Sequence, residues 1–323
     1  MRLVPHFEAL NEEIGNVTHN CRVGFGTKSA VEGVYQAIKD VTFDYGIDAF
    51  LFRGDLVGFF MSLPQRRMRD QLIEFAQSQY HGDFKNLLLW LIDVVVMHRP
   101  ELNCVFNSDP KDWAGLAHNK SLFRTGKGRG APIGNLTTQL FANFYMADFD
   151  AYMMDRIKEL RAKGIRCAYH RFVDDFILIC SDKKALRWLI KAAEIKIKAM
   201  EVTMHKDKRY IQPTSHGTMF VGSYLKNGRI YLSNRTAGRF FDKVTQIANY
   251  MQTPANQITS ADLEHILATL NSYLGFCKNR QTYNLRCQIM QPLVYSKEFR
   301  RYFSITRNLT KVTLKKRYRT IIK

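Results

Sequence analysis

The sequence predicts an α+β protein of packed subdomains, with short antiparallel strands among helices in its first part and a helical block at its end. Three observations carry this. The chain has 323 residues, beyond the roughly 250–300 at which a single core stops growing. Two hairpin signals lie along it. Apolar runs at 166–172 and 176–180 flank Val173, Asp174 and Asp175, and runs at 218–225 and 229–232 flank Lys226, Asn227 and Gly228, where Asn-Gly favours a tight turn. From Asn234 onward the pattern is helical and rich in Lys and Arg.

The elements follow in order. Val31, Val34 and Ile38 recur at helical spacing and predict a helix over 30–41. Residues 49–55 (AFLFRGD) form a short strand ending in a carboxylate, and Pro64 opens a helix. Residues 68–80 and 84–97 are helical. The apolar run LLLWLIDVVVM at 87–97 is too short to span a bilayer and is broken by Asp93, so it reads as a buried helix. Residues 99–134, rich in Asn, Asp, Gly and Pro, form a long irregular connection, a kind often tied to function. Residues 136–163 form one helix, with Leu140, Phe144, Ala147, Ala151 and Met154 on one face and Gly164 as its stop. The hairpin at 166–180 and a helix at 185–200 come next, then the strands at 218–232.

Composition narrows the class. Lys+Arg is 48 against 29 Asp+Glu, a net charge of +19, which calls for a polyanionic partner. Residues 231–323 hold 16 of the bases and 4 of the acids, so +12 of the excess sits there. Tyr302, Phe303 and Tyr318 lie among those bases, as in a surface that grips phosphates and stacks bases. The first 16 residues lack an apolar signal core, so membrane and secretion are set aside. Six scattered cysteines without a CxxC pair argue against zinc and fit a reduced cytoplasm, with Cys167 and Cys180 as core thiols.

The chemistry centres on acids. Asp174 and Asp175 occupy a hairpin tip between apolar strands, where two carboxylates repel unless a cation neutralises them. A hard divalent ion, Mg²⁺ or Mn²⁺, suits oxygen ligands. Asp55 ends another apolar strand and can complete the set. Gly130, Pro132 and Gly134 let backbone approach a ligand, and Asn135 or Thr137 can cap the following helix.

In this order the motifs resemble a reverse transcriptase: an Asp followed five residues later by an aromatic (Asp55, Phe60), a P-x-G stretch (Pro132–Gly134), F-V-D-D (172–175), and a strand pair around FVGSYL (220–225). The resemblance covers about residues 20–286. Within that family the chain is most similar to the reverse transcriptases of diversity-generating retroelements. IGNLTTQ (133–139), MHKDKRYIQPTSHGTMFVG (204–222) and NSYLGFCKNRQTYNLR (271–286) carry this, with Thr138, Lys206, Asn279 and Phe172 departing from the commonest residues. HNCRVGFGTKSA (19–30) is similar to the family's second fingers motif, and the first fingers strands are expected to be lacking.

The resemblance implies a right-hand polymerase fold: partial fingers at 1–46, a palm at 47–232 with fingers-side insertions around 80–130, and a basic helical thumb at 233–323. It implies catalysis by Asp55, Asp174 and Asp175 on two Mg²⁺ or Mn²⁺ ions, with the backbone oxygen of Leu56 as a further ligand. Arg22, Phe60, Ile133, Gly134, Gln139 and Lys208 fall where the family binds the deoxynucleoside triphosphate. Val221 and Gly222 fall in the primer grip. The expected partners are an RNA template, a DNA or RNA primer, deoxynucleoside triphosphates and a small basic accessory protein. The expected activity is RNA-dependent DNA synthesis on a template-repeat RNA, error-prone at template adenines. A retron, group II intron or abortive-infection reverse transcriptase, or a truncated RNA-binding remnant, is the alternative.

Overall fold

Residues 2–205, 211–278 and 280–319 are described in the structure, a computed structural model. Helices and antiparallel strands alternate through the chain, as an α+β fold requires. The chain divides into two compact units, Met1–Thr214 and Ser215–Lys323. This boundary lies ahead of the strands at 218–232, which the sequence grouped with the palm rather than the thumb.

The first unit opens with α1 (Val4–Ile14), a helix that the sequence reading did not foresee. Pro5 sits in its first turn, where a missing N–H costs nothing, and Gly15 ends it at a φ of 104°. Next come α2 (Thr27–Val41), β1 (Phe50–Gly54), α3 (Phe59–Ser62), α4 (Gln65–Gln79) and α5 (Lys85–Met97). The connection after α5 is irregular, as expected, apart from short 3₁₀ turns. The helix expected over 136–163 is broken at Met146 into α6 (Leu136–Tyr145) and α7 (Ala147–Ala162). Then follow β2 (Cys167–Phe172), β3 (Asp175–Cys180), α8 (Lys183–Ala199) and β4 (Ile211–Pro213).

These strands form one sheet in the order β2-β3-β1-β4, with β1 antiparallel to both neighbours. Alternation gives the sheet two apolar faces. Phe52, Tyr169, Phe176 and Leu178 share the face that joins the main core with Phe149, Met153 and Leu186 from α7 and α8. The other face carries Leu51, Ile177 and Ile179 and lies toward α2, whose buried stripe is Ala30, Val31, Val34, Ala37, Ile38 and Val41. Cys167 and Cys180 pair across β2 and β3 as buried free thiols.

The second unit begins with β5 (Thr218–Phe220), β6 (Ser223–Lys226) and β7 (Arg229–Leu232) in one sheet. The single strand expected at 218–225 is therefore a hairpin. Phe220 pairs with Ser223, and the two residues between them, Val221 and Gly222, take φ values of 44° and 72°. Two left-handed residues in succession match the twist of a tight hairpin. Helices α9 (Asn234–Tyr250), α10 (Ser260–Cys277), α11 (Tyr283–Tyr295) and α12 (Lys297–Tyr302) follow around a second core. The region expected to be wholly helical also contains the small hairpin β8 (Phe303–Ile305) and β9 (Val312–Leu314), before α13 (Lys316–Arg319). Among the described residues, no helix is long and apolar enough to cross a membrane.

Candidate active site

The β1–β3 register locates the strand ends beside Asp55 and Asp175. It runs from Phe50 opposite Cys180 to Gly54 opposite Phe176. The pairing ends there, and Asp55 directly follows Gly54 while Asp175 directly precedes Phe176, so the two acids lie at adjoining strand ends. Gly54 makes the approach possible, because a Cβ there would lie 2.1 Å from the Phe176 ring. Phe172 pairs with Asp175, so the hairpin turn is two residues, Val173 and Asp174, rather than the three expected. Asp174 thus occupies the tip and Asp175 the first strand position. All three acids are half-buried.

Beyond Asp55 the chain pairs again. Leu56 bridges Met204, flanked by hydrogen bonds from His205 N to Asp55 O (2.8 Å) and from Val57 N to Thr203 O (2.8 Å). In this pattern the bridged residue is the one whose own N–H and C=O are not exchanged. The bridge itself therefore does not use the Leu56 carbonyl.

A cation already faces Asp175. Arg53 lies two residues before Asp55, on the same strand face, and its guanidinium donates to both Asp175 oxygens, Nη2 to Oδ1 at 2.8 Å and to Oδ2 at 2.9 Å. Among the described residues, no group of three His, Cys, Asp or Glu side chains is disposed to hold a metal ion. By donor type alone, carboxylates at adjoining strand ends with a carbonyl beside them suit a hard divalent cation, and Asp55, Asp174 and Asp175 would have to draw closer together than they stand here to share one.

The turn is held from behind by a buried polar network. Arg171, fully buried, donates from Nε to Asp150 Oδ1 (2.7 Å) and from Nη2 to Asp150 Oδ2 (2.6 Å) and Asn143 Oδ1 (3.0 Å). Its Nη1 donates to Val173 O at 2.9 Å. Tyr169 donates its hydroxyl to Asp150 Oδ1 at 2.5 Å. Burial, reinforced by the Asp150 charge, pushes the Tyr169 phenol well above its ordinary pKa, so it stays a donor. From the N-terminal side, residues 17–19 run beside β2, with Arg171 N donating to Val17 O (2.9 Å) and His19 N to Arg171 O (3.1 Å). This delivers Asn20, whose Oδ1 accepts from Val173 N at 2.8 Å. None of this network was read from the sequence. The available signal was an acid on the apolar face of α7 and a base inside the apolar strand β2.

The remaining expected residues are dispersed. Arg22 is buried, with its guanidinium turned to Glu8 (2.8 Å), Asn16 Oδ1 (2.7 Å) and Thr18 O (3.2 Å) and stacked on Phe25. It is thus engaged inward rather than presented to a triphosphate. Phe60 is half-buried against Phe59, and its carbonyl accepts from Ala131 N at 2.8 Å, which draws the PIG stretch alongside α3. Ile133 is 67% exposed. Gly134 has a φ of 103° and open space where a Cβ would stand. Gln139 accepts from Cys21 Sγ at 3.5 Å. Val221 and Gly222 form the β5–β6 turn of the second unit. Lys208 lies outside the described residues.

Neither a protein-family model nor a curated protein matches the chain. Solved structures do. Apo telomerase from Candida tropicalis, truncated from its C-terminal domain, aligns with a TM-score of 0.50 at 14% identity, over 72% of this chain and 44% of that one. Telomerase from Candida tropicalis in complex with the TWJ fragment of telomeric RNA aligns with a TM-score of 0.52 at 12% identity, over 92% and 50%. The chain spans about half the length of these structures or less. Identities this low speak for the fold alone. That fold is mixed α+β and of the right-hand polymerase type.

Proposed function

We propose that the chain is an RNA-templated DNA polymerase of reverse-transcriptase type, extending a primer by two-metal nucleotidyl transfer. The observation that supports this reading is the β1–β3 register, in which Gly54 faces Phe176, so that Asp55 and Asp175 follow at adjoining strand ends with Asp174 in the turn. Bound Mg²⁺ or Mn²⁺ would lower the pKa of the primer hydroxyl and neutralise charge on the departing pyrophosphate. The protein's own part is to position. Strand pairing up to Gly54 and Phe176 would set the spacing of Asp55 and Asp175, and the tight turn would set Asp174 beside them. Phe60 and the open backbone at Gly134 adjoin α3 and α6, where a nucleotide's sugar and base could be received. The +12 charge over residues 231–323 suits a nucleic acid backbone, and the RNA-bound telomerase neighbour is consistent with an RNA template.

Within this type we favour the diversity-generating retroelement class, on IGNLTTQ (133–139) and the two longer stretches around it. The class brings a template-repeat RNA, errors at template adenines and a small basic accessory protein. Exposed Ile133 supports a part for that residue at the nascent pair, since it is not spent on the core. It can neither donate nor accept a hydrogen bond there.

The test is extension of a primer on an RNA template with deoxynucleoside triphosphates and Mg²⁺, or Mn²⁺ in parallel. Wild type is expected to extend and Asp174→Ala to stop. Equal extension by both, or none by wild type with either metal, refutes the polymerase reading. The class is tested by Ile133→Gln, which is expected to lower misincorporation opposite template adenine more than opposite the other bases. An unchanged adenine error rate removes Ile133 from that role.

A further inference from the structure

Val173 is the joint between the strands that carry the acids, and its backbone is strained. A β-branched residue at a φ of 57° is uncommon, because Cβ crowds the backbone in the left-handed region. Such a conformation persists only where the surroundings over-determine it. Here two buried side chains do so, one on each polar group of the residue. Asn20 accepts from the Val173 amide at 2.8 Å, and Arg171 donates to its carbonyl at 2.9 Å. Both clamps are anchored. Asn20 is 5% exposed, its Oδ1 accepts from Thr18 Oγ1 (3.1 Å), and its carbonyl accepts from Asn143 Nδ2 (3.2 Å). Arg171 is tied to Asp150 on α7 and Asn143 on α6.

We propose that Asn20 and Arg171 are positioning residues that hold Val173 in its left-handed conformation and so aim Asp174 and Asp175. The side-chain directions of two residues that follow a strained joint depend on that joint. If it relaxes toward an ordinary φ, the hairpin tip reorients and the acids diverge from Asp55. The proposal deepens the polymerase reading and rests on it for its effect on rate, but the clamp itself is a statement about structure.

The experiment uses Asn20, which can be changed without breaking the Arg171–Asp150 pair. In Asn20→Ala the amide of Val173 is expected to lose protection from hydrogen exchange. The rate constant for nucleotide addition is expected to fall by about ten- to a hundredfold, as for a small misplacement of reacting groups, with KM for the nucleotide unchanged. Asn20→Asp keeps an acceptor oxygen in place and is expected to restore both protection and rate. Glycine adopts a φ near 57° without strain, so adding Val173→Gly to Asn20→Ala is expected to recover most of the lost rate. If Asn20→Ala leaves exchange at Val173 unchanged, or if Asn20→Asp and the added glycine both fail to restore what it loses, the positioning role is overturned. Failure of the wild type to extend primers would refute the polymerase reading instead, and the exchange measurement would still decide the clamp.

Discussion

Replacing Asp150 with Asn leaves Arg171 as a charge without a counter-charge inside the first unit. The pair has side-chain exposures of 1% for Arg171 and 0% for Asp150, so water cannot take over the lost contact. Three hydrogen bonds converge on this carboxylate, two from Arg171 and one from Tyr169. Breaking a buried ion pair by removing one partner costs about 3–5 kcal/mol. Total stabilities of native proteins are typically about 5–15 kcal/mol, so Asp150→Asn should remain folded at room temperature with a much reduced margin. For a unit of this size, about 2–4 °C of melting temperature is lost per kcal/mol, giving a drop of roughly 6–20 °C. Urea unfolding of the full chain, followed by circular dichroism, measures the free energy directly. Asp150→Leu combined with Arg171→Met should recover much of the loss, because apolar replacement of a whole buried pair is often neutral. A cost below about 1 kcal/mol for Asp150→Asn, the level of an exposed pair, would refute the view that this network is the buried anchor of the hairpin.

Two further outcomes follow from the geometry. Arg53 and a divalent ion compete for the Asp175 oxygens, so Arg53→Gln should bind Mn²⁺ more tightly, by roughly five- to thirtyfold if the half-exposed bidentate pair is worth about 1–2 kcal/mol. Titration followed by electron paramagnetic resonance reads this, and unchanged or weaker binding contradicts it. His19 and His170 share a 3.0 Å hydrogen bond. Burial lowers the pKa of His19 to about 3, assisted by His170, Arg22 and Arg171, and burial lowers that of His170 to about 4. The unfolded chain therefore binds more protons below its ordinary value of about 6.5, and stability is full above that pH and falls as pH drops toward 4. The slope is about 1.4 kcal/mol per pH unit for each histidine. Unfolding curves between pH 7 and pH 4.5 should show it, and His170→Gln should remove about half of the histidine contribution. A slope identical in both proteins would refute neutral burial of His170.

The positions of Asp55 at a strand end and of Asp174 and Asp175 at a hairpin tip were legible in the sequence, because apolar runs adjoin these acids. Their register was not legible, since Gly54 facing Phe176 is a contact across more than a hundred residues. Three hairpin turns show the limit of local rules. Asn227-Gly228 is a favourable turn pair and was read, whereas Val173-Asp174 and Val221-Gly222 place valine at positive φ, against its own preference. Tertiary clamps override propensity at Val173, and no local signal announces them. For the same reason Asn20, Asn143, Asp150 and Arg171 went unnoticed: each is an ordinary polar residue until the fold brings it to the others. Arg22 shows the opposite case. Its position in a fingers-like motif suggested phosphate binding, but Glu8 on the unforeseen α1 takes its guanidinium.

The most direct measurement is single-nucleotide addition on an RNA template by wild type, Asp55→Asn, Asp175→Asn and the double variant, under single-turnover conditions with Mg²⁺. If the two carboxylates serve one metal centre, each single variant falls to near background and the double variant is no slower, because residues that act as a unit are not additive. Retention of the wild-type rate by either single variant would contradict the shared site proposed for Asp55 and Asp175.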